Sequence, residues 1–407
     1  MVYVVIGASA AGISGAKTLR KLDEDAKIIL ISKDEHVYSR CILHHYIEGI
    51  RDIKGLDFSE HDYFERFNIK WIKGVEVTSL NSKEHILGLS NNETIKYDKV
   101  LIATGASSFI PPIENLRTAN NVVGLRNLED AELIKTESEV VKNVAILGAG
   151  LVGMDAASGL LHKNLNITLI DMNDRILGLQ LDKYSSKEYE KRFEAEGVKL
   201  KFSARADKLI VDENNNPKEL LLSSGESVDC ELVVVTAGVR SNVGFLEGSG
   251  VECDKFGLIF NEKGETNTKD VYGAGDVSGR NPIWSIATKE GIISASNMMG
   301  KELFMTDFFG SKNTMNFVKL PTLSLGLVES PDDTYKEEIQ ANENGYKKII
   351  HKDGKIYGAI IQGDLSYAGV LTQLISEKID ISKVKKSLFD IDYSDFFNLT
   401  TNLQYTY

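Results

Sequence analysis

Lys142-Asn-Val-Ala-Ile-Leu-Gly-Ala-Gly-Leu-Val-Gly153 is the stretch on which the fold turns. Residues 143–147 read as a buried parallel strand. Gly148, Gly150 and Gly153 follow at the spacing of a tight strand-to-helix turn, a helix is expected over 154–163, and a second strand over 166–171 completes a βαβ unit. The first glycine makes the turn, the second lets a ligand come close to the backbone, and the third lets helix and strand pack together. The N–H groups at the helix start, with the positive end of the helix dipole, then face a pyrophosphate. Asp171 lies 23 residues after Gly148, at the end of the second strand. A carboxylate there accepts both ribose hydroxyls of NADH and repels the extra phosphate of NADPH. Arg175 stands close enough in sequence to keep NADPH as the lesser donor.

The pattern has a twin at the N-terminus, Tyr3-Val-Val-Ile-Gly-Ala-Ser-Ala-Ala-Gly12. A strand runs into Gly7 and Gly12 opens a helix, with Ser9 in the place of the middle glycine and Ala10 and Ala11 beside it. Alone, this is as readily a plain strand–helix turn as an anion site. The complete copy at Gly148 gives it its meaning. The next strand, 27–32, ends on Ser32 where an acid would hold a ribose, with Lys33, Asp34 and Glu35 beyond. Serine offers the ribose one neutral hydroxyl instead of a carboxylate. Residues 36–46 then gather reactive side chains. Arg40 reads as a phosphate clamp or as a structural ion-pair partner. Cys41 reads as a redox thiol, its pKa lowered by the neighbouring Arg40, or as a small buried apolar residue. His44 and His45 read as surface polar residues or as titrating groups.

Further along, 69–72 and 75–77 alternate as strands, 84–89 and 93–98 read as a hairpin, and 99–105 is a buried strand ending in Thr104-Gly105. Pro111-Pro112 marks a linker. Residues 229–238 form another apolar strand, ending at Gly238. Residues 268–276 close on Gly275-Asp276, and a helix rich in small residues over 283–299 carries Trp284 at its start. From Phe317 the texture becomes that of a separate α+β module. Its strands are expected at 322–328, 335–341, 346–351 and 356–362, with hairpin turns at Asn344-Gly345 and Asp353-Gly354, a helix over 368–378 and an aromatic polar tail.

The bulk numbers narrow the classes. A chain of 407 residues suggests two or three domains. A net charge of −12 excludes nucleic acid as a main partner, because no basic excess exists to neutralise phosphates. The hydrophobic N-terminal run is too short for a signal peptide or a membrane span. Cys41, Cys230 and Cys253 make no metal spacing and no disulfide framework, so no metal is expected, and the chain reads as cytoplasmic.

Two nested nucleotide-binding units imply two dinucleotides in one chain, one of them a tightly held flavin. On Gly7 to Gly12, Ala103-Thr-Gly105, Gly148-Ala-Gly-Leu-Val-Gly153 and Tyr272-Gly-Ala-Gly-Asp276, the sequence resembles the two-dinucleotide-binding-domain flavoproteins of the pyridine nucleotide-disulfide oxidoreductase superfamily over nearly its whole length. The resemblance implies an α/β protein with two Rossmann-like domains, the second inserted in the first. An FAD domain would occupy 1–110 and 243–315, an NAD(P)H domain 111–242, and a C-terminal interface or dimerisation module 316–407. It implies FAD against Gly7, Ser9, Ala10, Ala11, Gly12, Ser32, Lys33, Arg40, Cys41, Thr104, Gly105, Asp276 (toward the ribitol) and Trp284 (near the isoalloxazine). It implies NADH against Gly148, Gly150, Leu151, Val152, Gly153, Asp171 and Gly238.

Tyr38-Ser39-Arg40 looks like the rubredoxin-reductase and nitrite-reductase branch, except that Cys41 stands where that branch has proline. Cys41 is also where the NADH oxidase, NADH peroxidase and coenzyme A-disulfide reductase branch keeps a redox cysteine, although Ile42-Leu43-His44-His45 matches that branch poorly. Ala10 stands where the peroxidases carry a histidine, which disfavours peroxidase chemistry. The first branch pairs a lysine with a glutamate near the flavin, and His45 and Asp155 occupy those places here. The expectation is an FAD-dependent NADH oxidoreductase passing electrons to a rubredoxin- or ferredoxin-like protein. The alternatives are a thiol enzyme acting through Cys41, with Cys41, His45 and Asp155 as the candidate catalytic set, and a non-catalytic NADH sensor or electron-input subunit.

Overall fold

The computed structural model describes residues 1–306, 312–343, 345–366, 368–402 and 404–406. The N-terminal strand Val2–Ile6 lies at the centre of a five-stranded parallel sheet, in the order Val271–Gly273, Lys99–Ile102, Val2–Ile6, Lys27–Ser32, Ile69–Lys73. Four of these strands are buried on both faces and almost continuously apolar, as parallel strands must be, while the edge strand Ile69–Lys73 exposes Lys70 and Lys73. The helix Ala10–Leu22 covers one face and packs against the helix Trp284–Met298. Gly15 and Gly291 bring the two together: a side chain on Gly291 would collide with the carbonyl of Ala11.

A second sheet repeats the plan, in the order Lys199–Lys201, Asn166–Ile170, Asn143–Leu147, Leu232–Val235, Val122–Val123, also parallel. Each sheet carries a three-stranded antiparallel meander. One is Val77–Asn81, Ile86–Leu89, Thr94–Lys96; the other is Ala206–Val211, Pro217–Leu222, Ser227–Asp229. The chain leaves the first unit through Ala106–Ser108 and returns through Val239–Ser241, and these two strands pair antiparallel. The second Rossmann unit is thereby inserted in the first. Asn242 ties the crossing, donating to the carbonyl of Thr104 and accepting from the Ser107 hydroxyl.

Beyond 311 an all-antiparallel sheet runs Lys312–Phe317, Leu320–Gly326, Lys355–Gly363, Gly345–Lys352, Lys336–Asn342, with the helix Ala368–Ser376 against it. The strand Lys312–Phe317 is additional to the expected set; its alternating Met315 and Phe317 are buried. Asp353 and Gly354 both take positive φ, 48° and 72°, as the mirror-image hairpin turn needs. Asn344, half of the other expected turn, lies outside the described residues. One apolar core joins all three units: Tyr38, Leu43 and Ile47 from the first, Met154 and Leu160 from the second, Phe317 and Tyr346 from the third. No helix among the described residues is long and apolar enough to cross a membrane.

Candidate active site

Both glycine turns are built alike. Gly7 and Gly148 take positive φ, 115° and 112°. A β-carbon on Gly12 would strike the carbonyl of Gly7, and one on Gly153 would strike that of Gly148. The middle position is different. Gly150 has an extended backbone, and a β-carbon there would meet no protein atom within 4 Å. Ser9 holds the same place at the head of its own helix, also extended. The middle glycine therefore answers to a ligand and not to the fold, which is why the first turn forms with serine. The Ser9 side chain does not cap the helix Ala10–Leu22, and the first turn of that helix holds no acidic residue. Its positive end is left open for an anion.

That helix end opens into a cleft of about 340 Å³, within the range of small-ligand sites. Of the residues read from sequence as the FAD set, Gly7, Ser9, Ala10, Ala11, Ser32, Lys33, Arg40, Cys41, Thr104, Gly105, Asp276 and Trp284 line it. Gly12 is buried behind the turn. Gly105 and Gly244 line the cleft with open space where a β-carbon would stand, so a bulky ligand fits against their backbone. An uncapped helix end and a backbone-walled cleft are what FAD requires.

Three side chains differ from expectation. Ser32 is buried; its hydroxyl donates to the carbonyl of Asp34 at 2.7 Å and accepts from the Trp71 indole at 2.9 Å. With its one proton committed, it can only accept from a ribose. Arg40 reaches Asp34 at 2.7 Å, Asn127 Oδ1 at 2.5 Å, the Tyr38 hydroxyl at 2.9 Å and the carbonyl of Arg126 at 2.8 Å. Its guanidinium is held by these partners at the cleft wall, which it also lines. Arg40 consequently does not activate Cys41. The Cys41 thiol is exposed, yet its pKa is raised, above all by crowding from protein.

The third correction concerns the histidine. His44, not His45, meets Asp155: its Nδ1 lies 3.2 Å from Asp155 Oδ1, outside hydrogen-bond geometry. The reason is helical geometry. His44 and His45 sit about 100° apart on the helix Leu43–Glu48. That helix packs on Leu151–Leu160, where Gly159 admits the backbone of His44. The His45 ring lies edge-on to that of His44, centroids 4.2 Å apart. Burial pushes the Asp155 carboxyl up to about 8. Burial, then the neighbouring His45, pushes His44 down to about 4. At neutral pH both are uncharged, so they form a neutral pair and not an ion pair.

In the second turn Asp171 accepts from the backbone N–H of Ala149 at 2.5 Å and of Asn173 at 2.7 Å. It braces the loop that carries Gly148 and Gly150. Val152 and Gly238 are exposed and Leu151 is half-buried. Arg175 is committed to Asp174 and Glu329, at 2.8 Å and 2.9 Å.

Sequence reasoning missed two cleft-side groups. Arg126 reaches across from the inserted unit to Asp276 at 2.5 Å. Glu290 accepts from the backbone N–H of Gly275 at 2.7 Å. The signal for Glu290 was present, as a charge among the small residues of its helix. Arg126 left none short of the three-dimensional crossing.

Residues 1–291 match the family described as pyridine nucleotide-disulphide oxidoreductase, and residues 312–379 match the rubredoxin NAD+ reductase C-terminal domain. The chain is 31% identical to an NADH oxidase of Methanocaldococcus jannaschii, over 94% of this chain and 90% of that protein. It is 25% identical to an NADH-rubredoxin oxidoreductase of Clostridium acetobutylicum, over 96% and 97%. The ferredoxin reductase structure for the CYP199A2 system of Rhodopseudomonas palustris shares its fold, with a TM-score of 0.85 at 21% identity, covering 96% of this chain and 98% of that one. The chain belongs to the pyridine nucleotide-disulphide oxidoreductase family and is an FAD-dependent NADH oxidoreductase.

Proposed function

We propose that this protein carries electrons from NADH, through FAD held in the Gly7–Gly12 cleft, to a small one-electron carrier of the rubredoxin or ferredoxin type, and that no thiol intervenes. The observation that carries the reading is the state of Cys41. Its thiol is reachable from the cleft, burial raises its pKa instead of lowering it, and Arg40 is committed to Asp34 and Asn127. A redox thiol needs the opposite environment.

The chain's own residues act by placement. The open end of Ala10–Leu22 would take the pyrophosphate, and Asp276 would take the ribitol, with Arg126 as its counter-charge. FAD, when bound, accepts a hydride and releases electrons singly or in pairs. The Gly148 loop holds NADH, and Asp171 disfavours the 2′-phosphate of NADPH. Arg175, spent on Asp174 and Glu329, offers that phosphate nothing. His44 and Asp155 keep one neutral, proton-bearing pair between the two sites. We assign residues 1–110 and 243–315 to the FAD domain, 111–242 to the NADH domain and 316–407 to the interface module, which serves a carrier or a second copy of the chain. The compartment is the cytoplasm.

The second reading rests on the exposure of Cys41: electrons leave through the thiol, to a disulfide or to oxygen. Stopped-flow reduction with NADH and with NADPH, followed by acceptor turnover in wild type and Cys41→Ser, separates the two. Carrier reduction retained in Cys41→Ser supports the first reading. Its loss, with trapping of a mixed disulfide on Cys41 in wild type, supports the second. Flavin that NADH reduces but that passes electrons to no acceptor would mark a sensor.

A further inference from the structure

The cleft has a titrating support that no motif announced. Gly275 lines the cleft with Asp276, at a turn of positive φ, 80°. It is wedged between two helices: a β-carbon there would stand 3.1 Å from Ala11 and 3.4 Å from Ala287. What anchors its N–H is Glu290 Oε2, at 2.7 Å. Glu290 sits next to Gly291, where the two helices touch. It does not line the cofactor cleft. It lines a second cavity of about 200 Å³, with Asn261, Ser278, Arg280 and Ser294. One carboxylate therefore touches the wall of the cofactor site from behind and is reached from another side.

We propose that Glu290 is a positioning residue that holds the Gly275–Asp276 turn against FAD and exchanges its proton through the second cavity, so that bulk pH reaches the flavin end of the cleft without passing the cofactor. Among the described residues the charges around it are few. Asp276 faces it from the turn and opposes its ionisation. Arg126 pairs with Asp276 from the other side. Arg280 lines the second cavity, but its guanidinium is committed to Asp254 and the carbonyl of Ser278. Glu262 lines it from an exposed position, and Lys289 precedes Glu290 on the helix. Burial pushes the carboxyl up to about 7, and the Gly275 N–H pulls the other way. Glu290 thus changes charge at neutrality. Adding negative charge to the cleft on reduction raises its proton affinity, so proton uptake at Glu290 is coupled to reduction.

The inference rests on FAD occupying the cleft, and a purified protein without flavin would defeat that premise separately. The test is the midpoint potential of the bound flavin against pH, from pH 5.5 to 8.5, in the holoenzyme and in Glu290→Gln. The amide keeps an acceptor for Gly275 and loses the titration. Reduced flavin titrates near neutrality itself and bends both plots, so wild type should show an additional change of slope near pH 7 that Glu290→Gln, with full flavin content, lacks. Glu290→Ala, confirmed folded by its far-ultraviolet spectrum, should release flavin about tenfold faster on dilution, because a buried N–H loses its partner, with Gln restoring the wild-type rate. Plots of the same shape in wild type and Glu290→Gln, or Glu290→Ala holding flavin as wild type does, would each overturn the proposal.

Discussion

Asp155 shows how a single burial decides chemistry. Its carboxyl, at about 8, lies far above its unfolded value of 3.8. The folded chain binds more protons than the unfolded one between those values. Its contribution to stability is complete below pH 4 and is lost as pH rises through 8. His44, lowered to about 4, works on the acid side: the unfolded chain binds more protons between 4 and 6.5, so stability rises across that span. Asp155→Asn removes the alkaline loss. Its melting temperature at pH 8.5 should exceed that of wild type by several degrees, about 2–4 °C for each kcal/mol recovered, and the two should converge at pH 4. Thermal melts across pH check this, and equal alkaline slopes would contradict it. The same geometry separates the histidines. His44→Ala should change the pH profile of flavin reduction by NADH, and His45→Ala should leave its midpoint in place. Rapid-mixing traces at a series of pH values tell the two apart. The position of Asp155 was legible in the sequence from the Gly153 spacing. Its partner was not, because adjacent positions on a short helix differ only in which way they face, and the packing of Gly159 settles that.

At the scale of elements, the two glycine turns were legible because each needs a positive φ and a close approach that only glycine supplies. The middle position, Ser9 in the first turn, left that turn ambiguous on its own. Ser9 and Gly150 have the same extended backbone, and neither is required by the fold. Gly150→Ala should therefore keep the melting temperature of wild type while raising KM for NADH severalfold. Gly153→Ala, which drives a methyl group into the carbonyl of Gly148, should lose about 1–3 kcal/mol of stability. Calorimetry beside steady-state kinetics distinguishes the pair, and a Gly150→Ala protein that melts well below wild type would sink the interpretation. The charged stretch 50–67 reads as helix or loop and holds the short helices Ile53–Leu56 and Tyr63–Arg66, whose bounds its composition does not mark, while the strand Lys312–Phe317 was hidden by polar composition. Their buried positions, Leu56, Tyr63, Met315 and Phe317, are too few to announce a period.

At the scale of the molecule, the insertion of one Rossmann unit in the other was readable from motif order, since Gly275-Asp276 returns after the second turn. What order could not reveal is how the units are clamped. Arg126 to Asp276 and Arg40 to Asn127 cross between them at the cleft wall. The helix Leu43–Glu48 packs His44 against the helix Leu151–Leu160, its backbone at Gly159 and its ring at Asp155. These contacts place Cys41 where a redox thiol could act and crowd it with protein, which raises its pKa. The central claim is that electrons enter and leave through the flavin alone. Anaerobic titration of the oxidised holoenzyme with NADH, in wild type and Cys41→Ser, tests it most directly. The account predicts full reduction at one NADH per FAD in both proteins. Two NADH per FAD in wild type, falling to one in Cys41→Ser, would show a second redox centre at Cys41 and contradict it.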